Sequence, residues 1–202
     1  MPLITYNYKS LYFIHIPKTG GSSIYDNLQK AVATIEYLNE TGDTKDDINP
    51  QHLAYKRLEN EIENFDKLTK FSIFRRPSDR TISEYFWKTD NTNLDNFPSW
   101  LNETLDRYDN GPHWADNHLL PQINFISKDV IVYPYDYYQD CINWLRYYFE
   151  DNFDASLVRK AGPVAFSCKP PISKIINSKL LKRWTNVYKQ DIEYYSKLIK
   201  NR

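Results

Sequence analysis

Short apolar runs closed by turn signals alternate along this chain with stretches whose apolar residues recur at helical spacing. Leu11-Tyr12-Phe13-Ile14-His15-Ile16 is the first such run, and its length and composition predict a buried strand. Pro17 ends it, and Lys18-Thr19-Gly20-Gly21-Ser22-Ser23 follows as a glycine turn. From Ser23 onward Ile24, Leu28 and Ala31 predict a helix. Ala33 to Leu38 reads as a second strand, and Asn39 to Asn49 as a polar, acidic loop. Asn49-Pro50 pairs a cap residue with proline at the first helical position, so a helix is expected there, carrying Leu53, Leu58 and Ile62 inward. Phe71-Ser72-Ile73-Phe74 predicts another buried strand, stopped by Arg75-Arg76-Pro77. Ile82, Tyr85 and Phe86 then give the next helix its apolar face. A short helix is expected between Asp90 and Gly111, and a further helix from His113 to Phe125. Val130-Ile131-Val132-Tyr133 is strand-like, Tyr137 to Phe149 is an aromatic helix, and Asp151 to Pro171 reads as a long loop. Ile172 to Ile199 predicts one or two terminal helices.

Strands alternating with helices predict an α/β fold, a central parallel sheet flanked by helices. With no internal repeat, low-complexity tract or linker, residues 1–202 read as a single domain. The chain is 41% hydrophobic and 26% charged, enough to bury a core and unlike a disordered tail. Its 26 basic and 26 acidic residues cancel. That balance argues against a broad nucleic-acid or anionic-membrane surface but leaves a local anion site open. No apolar run reaches the length of a membrane span, and the first residues lack the features of a secretory signal. Cys141 and Cys168 have neither metal-ligand spacing nor a disulfide framework. The expectation is a soluble, cytoplasmic domain. Aromatic content, 16% with 17 Tyr and five Trp, exceeds what a core alone requires.

In parallel sheets ligands bind beyond the C-terminal strand ends, and two of the loops leaving those ends carry the unusual residues. In Pro17-Lys18-Thr19-Gly20-Gly21-Ser22-Ser23 the glycines permit a tight turn and close approach of a ligand to the backbone. The following helix start offers free N–H groups and a positive dipole end. Lys18 adds a mobile charge, and Thr19, Ser22 and Ser23 add hydroxyls. This combination points to phosphate or sulfate. A Walker A loop places its lysine after the glycines; here Lys18 precedes them, which disfavours an ordinary ATPase or GTPase. The second loop, Arg75-Arg76-Pro77-Ser78-Asp79-Arg80-Thr81-Ile82-Ser83-Glu84-Tyr85, sets Arg75 at a strand end, where a guanidinium can fork onto a phosphate. Arg80 and Ser83 share a helix face, while Glu84 and Lys88 read as a solvated i,i+4 pair.

Pro-Lys-Thr-Gly-Gly-Ser-Ser after a strand resembles the 5′-phosphosulfate loop of sulfotransferases, especially the heparan sulfate 2-O-sulfotransferase-like carbohydrate branch. The Arg75–Tyr85 segment resembles that family's 3′-phosphate motif, with Arg76 standing where Asp or Asn is usual. Weaker resemblances lie in Pro121-Gln122-Ile123-Asn124-Phe125-Ile126, in Val158-Arg159-Lys160-Ala161 and in Tyr188-Lys189-Gln190-Asp191. The resemblance implies a P-loop sulfotransferase-type fold. It also implies 3′-phosphoadenosine 5′-phosphosulfate (PAPS) as donor, 3′-phosphoadenosine 5′-phosphate (PAP) as product, and a hydroxylated, carbohydrate acceptor. Lys18 through Ser23 would hold the 5′-phosphosulfate, Arg75 and Ser83 the 3′-phosphate, and Arg159 and Lys160 would close over the donor. No metal is implied. The alternatives are a non-catalytic PAP- or nucleotide-binding module, and a small-molecule kinase with an atypical phosphate loop.

Four histidines compete for the role of general base. His15, in the first strand, reads as a packed residue. His52 falls in the first turn of the helix opened by Asn49-Pro50, where the dipole disfavours imidazolium. Gln51-His52-Leu53 also resembles the catalytic histidine segment of the 2-O-sulfotransferase-like enzymes. His113 and His118, which flank Trp114, are the candidates if His52 points elsewhere.

Overall fold

The structure, a computed structural model, describes residues 2–6, 9–30, 34–37, 48–89, 93–113, 115–149 and 170–201. Strands β1 (Pro2–Tyr6), β2 (Lys9–Ile14), β3 (Thr34–Tyr37), β4 (Thr69–Phe74) and β5 (Val130–Pro134) form one sheet in the order β3-β1-β2-β4-β5. The expected parallel sheet is its β2-β4-β5 portion, with Phe13 opposite Phe71 and Phe71 opposite Ile131. The other half corrects the expectation, because β1 runs antiparallel to both β2 and β3. Tyr6 pairs with Lys9, and the two residues between them are far too few for the crossover that parallel pairing needs. The sequence pattern alone assigns no element to Pro2–Tyr6.

Side chains of β2 alternate between two cores. Leu11 and Phe13 join Phe71, Ile73, Ile24, Ile142 and Leu145 on one face. Tyr12 and Ile14 join Phe74, Leu53, Leu58, Phe125 and Tyr195 on the other. Both faces are covered, which is why the central strands read as unbroken apolar runs. Helix α1 (Gly21–Lys30) and helix α5 (Tyr138–Tyr148) supply residues to the first core. Helix α2 (Tyr55–Glu61) and helix α7 (Lys189–Lys200) supply the second. Helices α3 (Pro77–Thr89), α4 (Phe97–Asn110) and α6 (Ser178–Val187) build a third, around Tyr85, Phe97, Leu101 and Trp184.

Two expected helices are not formed as read. Asn49 and Pro50 open a 3-10 turn, Pro50–His52, in which the Asn49 side chain accepts from Gln51 N at 3.0 Å. Leu53 and Ala54 are extended before α2 begins, so His52 ends a turn rather than starting an α-helix. Between His113 and Phe125, Ala115, Asp116 and Asn117 take φ of 55°, 56° and 58°. Left-handed residues cannot continue a right-handed helix, and among the described residues of this stretch only Gln122–Phe125 forms a 3-10 turn.

A buried arginine fastens these loops to α3. Arg80 is 3% exposed. Its Nε donates to Pro17 O at 2.9 Å, Nη1 to Leu120 O at 2.9 Å and Nη2 to His118 O at 2.7 Å. A second anchor is Asp191, whose buried carboxylate accepts from Gln122 N at 2.8 Å and Ile123 N at 2.9 Å. Removing the guanidinium strands three buried carbonyls. Arg80→Ala is therefore expected to lower the unfolding free energy by about 3–5 kcal/mol, measured by urea denaturation. A loss below about 1 kcal/mol would show the fork to be dispensable.

Candidate active site

The loops leaving the C-terminal ends of β2, β4 and β5 meet. Arg75, the first residue beyond β4, donates from Nη1 to Lys18 O at 2.9 Å, and its guanidinium lies 4.4 Å from the Tyr135 ring centre beyond β5. Gln122 clamps the Arg75 backbone from both sides: Oε1 accepts from Arg75 N at 3.0 Å and Nε2 donates to Arg75 O at 2.8 Å. Asp191 holds Gln122 in turn. The weaker sequence resemblances at Pro121–Ile126 and Tyr188–Asp191 thus carry a structural meaning, since they brace Arg75.

Backbone geometry in the Lys18–Ser23 loop requires its glycines. Gly20 takes φ of 93°, and a Cβ there would sit 3.1 Å from the Tyr135 ring. A Cβ on Gly21 would lie 2.1 Å from His15 Nε2, so the His15 ring occupies the space a side chain would need. Lys18 itself has φ of 65°, a strained conformation for a residue with a Cβ. Helix α1 starts at Gly21, and first-turn amides have no partner within their own helix. Ser23 N is already committed to Gly20 O at 3.1 Å. The Thr19 hydroxyl is likewise engaged, donating to Ile16 O at 2.8 Å in full burial. Ser22 is exposed and Ser23 buried.

Lys18 Nζ rests 4.7 Å from the Trp87 ring centre, and Trp87 stacks on His118 at 4.7 Å. His118 meets His52 at 4.8 Å, and His52 meets His15 at 5.2 Å. Through these contacts His52 and Lys18 fall at the same end of the sheet. Ser83 is half-buried on α3. Arg159 and Lys160, and Trp114, lie outside the described residues. His113 is exposed and bonds through Nδ1 to Asn117 Oδ1 at 3.0 Å.

Two carboxylates orient two of the rings. Asp116 Oδ2 lies 2.6 Å from His52 Nδ1 and Oδ1 accepts from Asn49 N at 2.5 Å. Glu84 Oε2 lies 2.8 Å from His118 Nδ1. Burial acts to raise the Asp116 carboxyl, but its hydrogen bond to His52 and that ring's field outweigh burial and hold it below its ordinary range. An ionised carboxylate only accepts, so His52 carries its proton on Nδ1 and keeps a lone pair on Nε2. Burial lowers the His52 pKa, against the opposing pull of Asp116, with His118 lowering it further. The ring is neutral for that reason, not because of a helix dipole. Glu84 corrects the sequence reading as well: it is 1% exposed rather than solvated beside Lys88, and its Oε1 has no hydrogen-bond partner among the described residues. Burial depresses the Lys18 pKa, Glu84 raises it and Arg75 lowers it.

Asp116, Trp87 and Glu84 escape a reading of the sequence. Asp116 is 64 residues from His52, and its place depends on a left-handed turn that no local pattern announces. Glu84 is legible only as one half of a spacing that suits a solvated pair.

A strand ending in a glycine loop, an arginine at the next strand end and an oriented histidine thus stand at one end of the sheet. A family model described as the sulfotransferase family matches residues 2–161. The chain belongs to the sulfotransferase family. Membership supports sulfuryl transfer as the general chemistry and makes the protein a transferase. No curated protein and no solved structure matches the chain. Among the described residues no helix is long and apolar enough to cross a membrane.

His15 supplies a test of how tightly this sulfotransferase packs its site. Its pKa is pushed down to about 3, by burial first and then by its neighbours His52, His118 and Lys18. Between pH 6.5, the ordinary value for histidine, and about pH 3 the unfolded chain binds a proton that the folded chain refuses. Stability therefore rises with pH across that window and is lost as the pH falls through it. Urea midpoints measured against pH should fall more shallowly below pH 6.5 for His15→Gln than for the natural chain. Parallel curves would mean the ring is not held neutral.

Proposed function

We propose that the protein moves a sulfuryl group from PAPS to a hydroxyl of a carbohydrate acceptor by in-line displacement, with His52 as general base. The acceptor oxygen bonds to sulfur as the bond from sulfur to the phosphate oxygen breaks. The hydroxyl proton passes to His52 Nε2, and PAP leaves with the electron pair. The observation that carries this reading is the placement of the His52–Asp116 pair and of Lys18 at one sheet end, linked through Trp87 and His118. The family match favours it over the kinase alternative, and the carbohydrate acceptor rests on the resemblance of Pro17–Ser23 and Gln51–Leu53.

Each residue then has a task. Lys18 neutralises charge developing on the departing phosphate, aided by amides at the start of α1. Thr19, Gly20, Gly21, Ser22 and Ser23 shape that cradle, with Thr19 and Ser23 fixing its backbone. Arg75 and Ser83 hold the 3′-phosphate, and Arg159 and Lys160 are assigned to the donor by the resemblance. The positive charge that metal ions provide in phosphoryl transfer comes here from Lys18 and the helix start. Asp116 holds the His52 tautomer and stabilises the imidazolium once the proton arrives, the part a carboxylate plays behind a catalytic histidine.

A nucleotide phosphorylated at both positions engages both loops. PAP is expected to bind more tightly than AMP by roughly 1.5–3 kcal/mol for each charge-assisted hydrogen bond that its 3′-phosphate makes, read by calorimetric titration. Equal affinities would remove the Arg75–Ser83 subsite.

His52→Ala should leave PAP binding intact and lower sulfuryl transfer from labelled PAPS by on the order of 10²–10⁴-fold, the range for loss of a general base. Full activity in this variant, on an acceptor that the natural chain sulfates, would remove His52 from the role.

A further inference from the structure

Among the described residues, His52, Asp116 and His118 each offer one ligand atom, and the three atoms lie within 4.8 Å of one another. We propose that this cluster is a binding site for a borderline divalent transition metal of the zinc class, independent of donor binding. Two imidazoles and one carboxylate suit zinc and its neighbours in the first transition row, whereas magnesium and calcium favour all-oxygen sites.

The surroundings are those of a prepared site. His118 is turned by Glu84, whose Oε2 lies 2.8 Å from Nδ1, so the opposite nitrogen is presented as a ligand. Trp87 stacks on the same ring, 24° from parallel, and fixes its plane. His52 and His118 are 5% and 6% exposed, so both ligand rings are walled by protein. Asp116 is the more open member, with 31% of its side chain exposed, and gives an ion its way in. The carbonyl of His52 accepts from Asn117 Nδ2 at 2.9 Å, tying the Asp116–His118 turn to the His52 turn. Three successive left-handed residues, Ala115 to Asn117, bring Asp116 and His118 together. Such strain concentrates at functional sites.

A tetrahedral ion with bonds of about 2.0–2.1 Å spaces its ligands about 3.3 Å apart. The widest gap in the cluster therefore closes by on the order of 1.5 Å on binding, within reach of side-chain rotation. Three protein ligands leave the fourth position open to water. An ion shared with Asp116 takes His52 Nδ1 in place of its proton; the ring proton moves to Nε2, so the metal-loaded chain lacks its proposed base.

The site does not depend on the sulfuryl-transfer reading, and its test keeps the two apart. The full chain, stripped with chelator, is titrated with Zn²⁺ against a chromophoric competitor. One equivalent is expected to bind. Asp116→Asn and His118→Gln are expected to abolish stoichiometric binding, and Glu84→Gln to weaken it by about 10–100-fold through loss of the partner that orients His118. Circular dichroism identifies any variant that fails to fold. Co²⁺ added to the unaltered chain gives a reading that no substitution can confound: a visible d–d band of histidine-ligated cobalt is expected. A spectrum identical to aqueous cobalt, or zinc affinity unchanged by both ligand substitutions, overturns the proposal. If one zinc binds and transfer from labelled PAPS continues undiminished, the metal site stands and His52 is not the base. If zinc does not bind while His52→Ala abolishes transfer, the base stands and the metal site falls.

Discussion

The three-carbonyl grip of Arg80 holds the site together. One guanidinium, out of water on α3, reaches Pro17 at the head of the Lys18–Ser23 loop and His118 and Leu120 on the histidine loop. These segments are about a hundred residues apart in sequence, and no strand pairing joins them. Burial lowers the Arg80 pKa, with Tyr188, Asp191 and Glu84 acting in the opposite direction. A planar fork with fixed donor directions suits this work; a lysine has one nitrogen and no fixed geometry. Two of those counter-charges have further roles, since Asp191 braces the Gln122 turn and Glu84 orients His118. The polar network is thus continuous from α3 and α7 to both sides of the site.

That network explains why the loops tolerate strained backbone. Lys18 and the run Ala115–Asn117 take left-handed φ without being glycine, a conformation that persists where the surroundings over-determine it. Lys18 O is held by Arg75, Pro17 O by Arg80, and the 115–120 turn by Arg80 and by Asn117 to the His52 carbonyl. Close packing adds a steric constraint, because His15 fills the place of a Gly21 side chain and Tyr135 crowds Gly20. The Lys18–Ser23 loop is fitted between a histidine and a tyrosine, and its two glycines answer to different neighbours.

Residues whose chemistry is local are legible in the sequence. The unbroken apolar runs mark the three parallel strands, and the meeting of the Lys18–Ser23 loop with Arg75 is readable from their place at strand ends. Strand β1 is not legible, because five residues beginning with proline make a weak signal, and its antiparallel pairing follows from the two-residue connection to β2. His52 stands out in the sequence, but for a physical reason that fails: it ends a 3-10 turn, and burial rather than a helix dipole keeps it neutral. Glu84 shows the limit most clearly. Its spacing to Lys88 suits a solvated pair, yet its carboxylate faces a histidine 34 residues away. Periodicity identifies the face of a helix, but not what the rest of the fold will lay against it.

The histidine column follows from the same electrostatics. Burial is the first cause that lowers the pKa of both His15 and His52, and His118 lowers each of them further. A neutral imidazole with Nδ1–H fixed on a carboxylate has one remaining capacity, the electron pair on Nε2. In the proposed transfer that pair takes the proton of a hydroxyl, whereas in the proposed metal site an ion replaces the Nδ1 proton beside Asp116 and drives it to Nε2. The two uses of His52 therefore exclude each other.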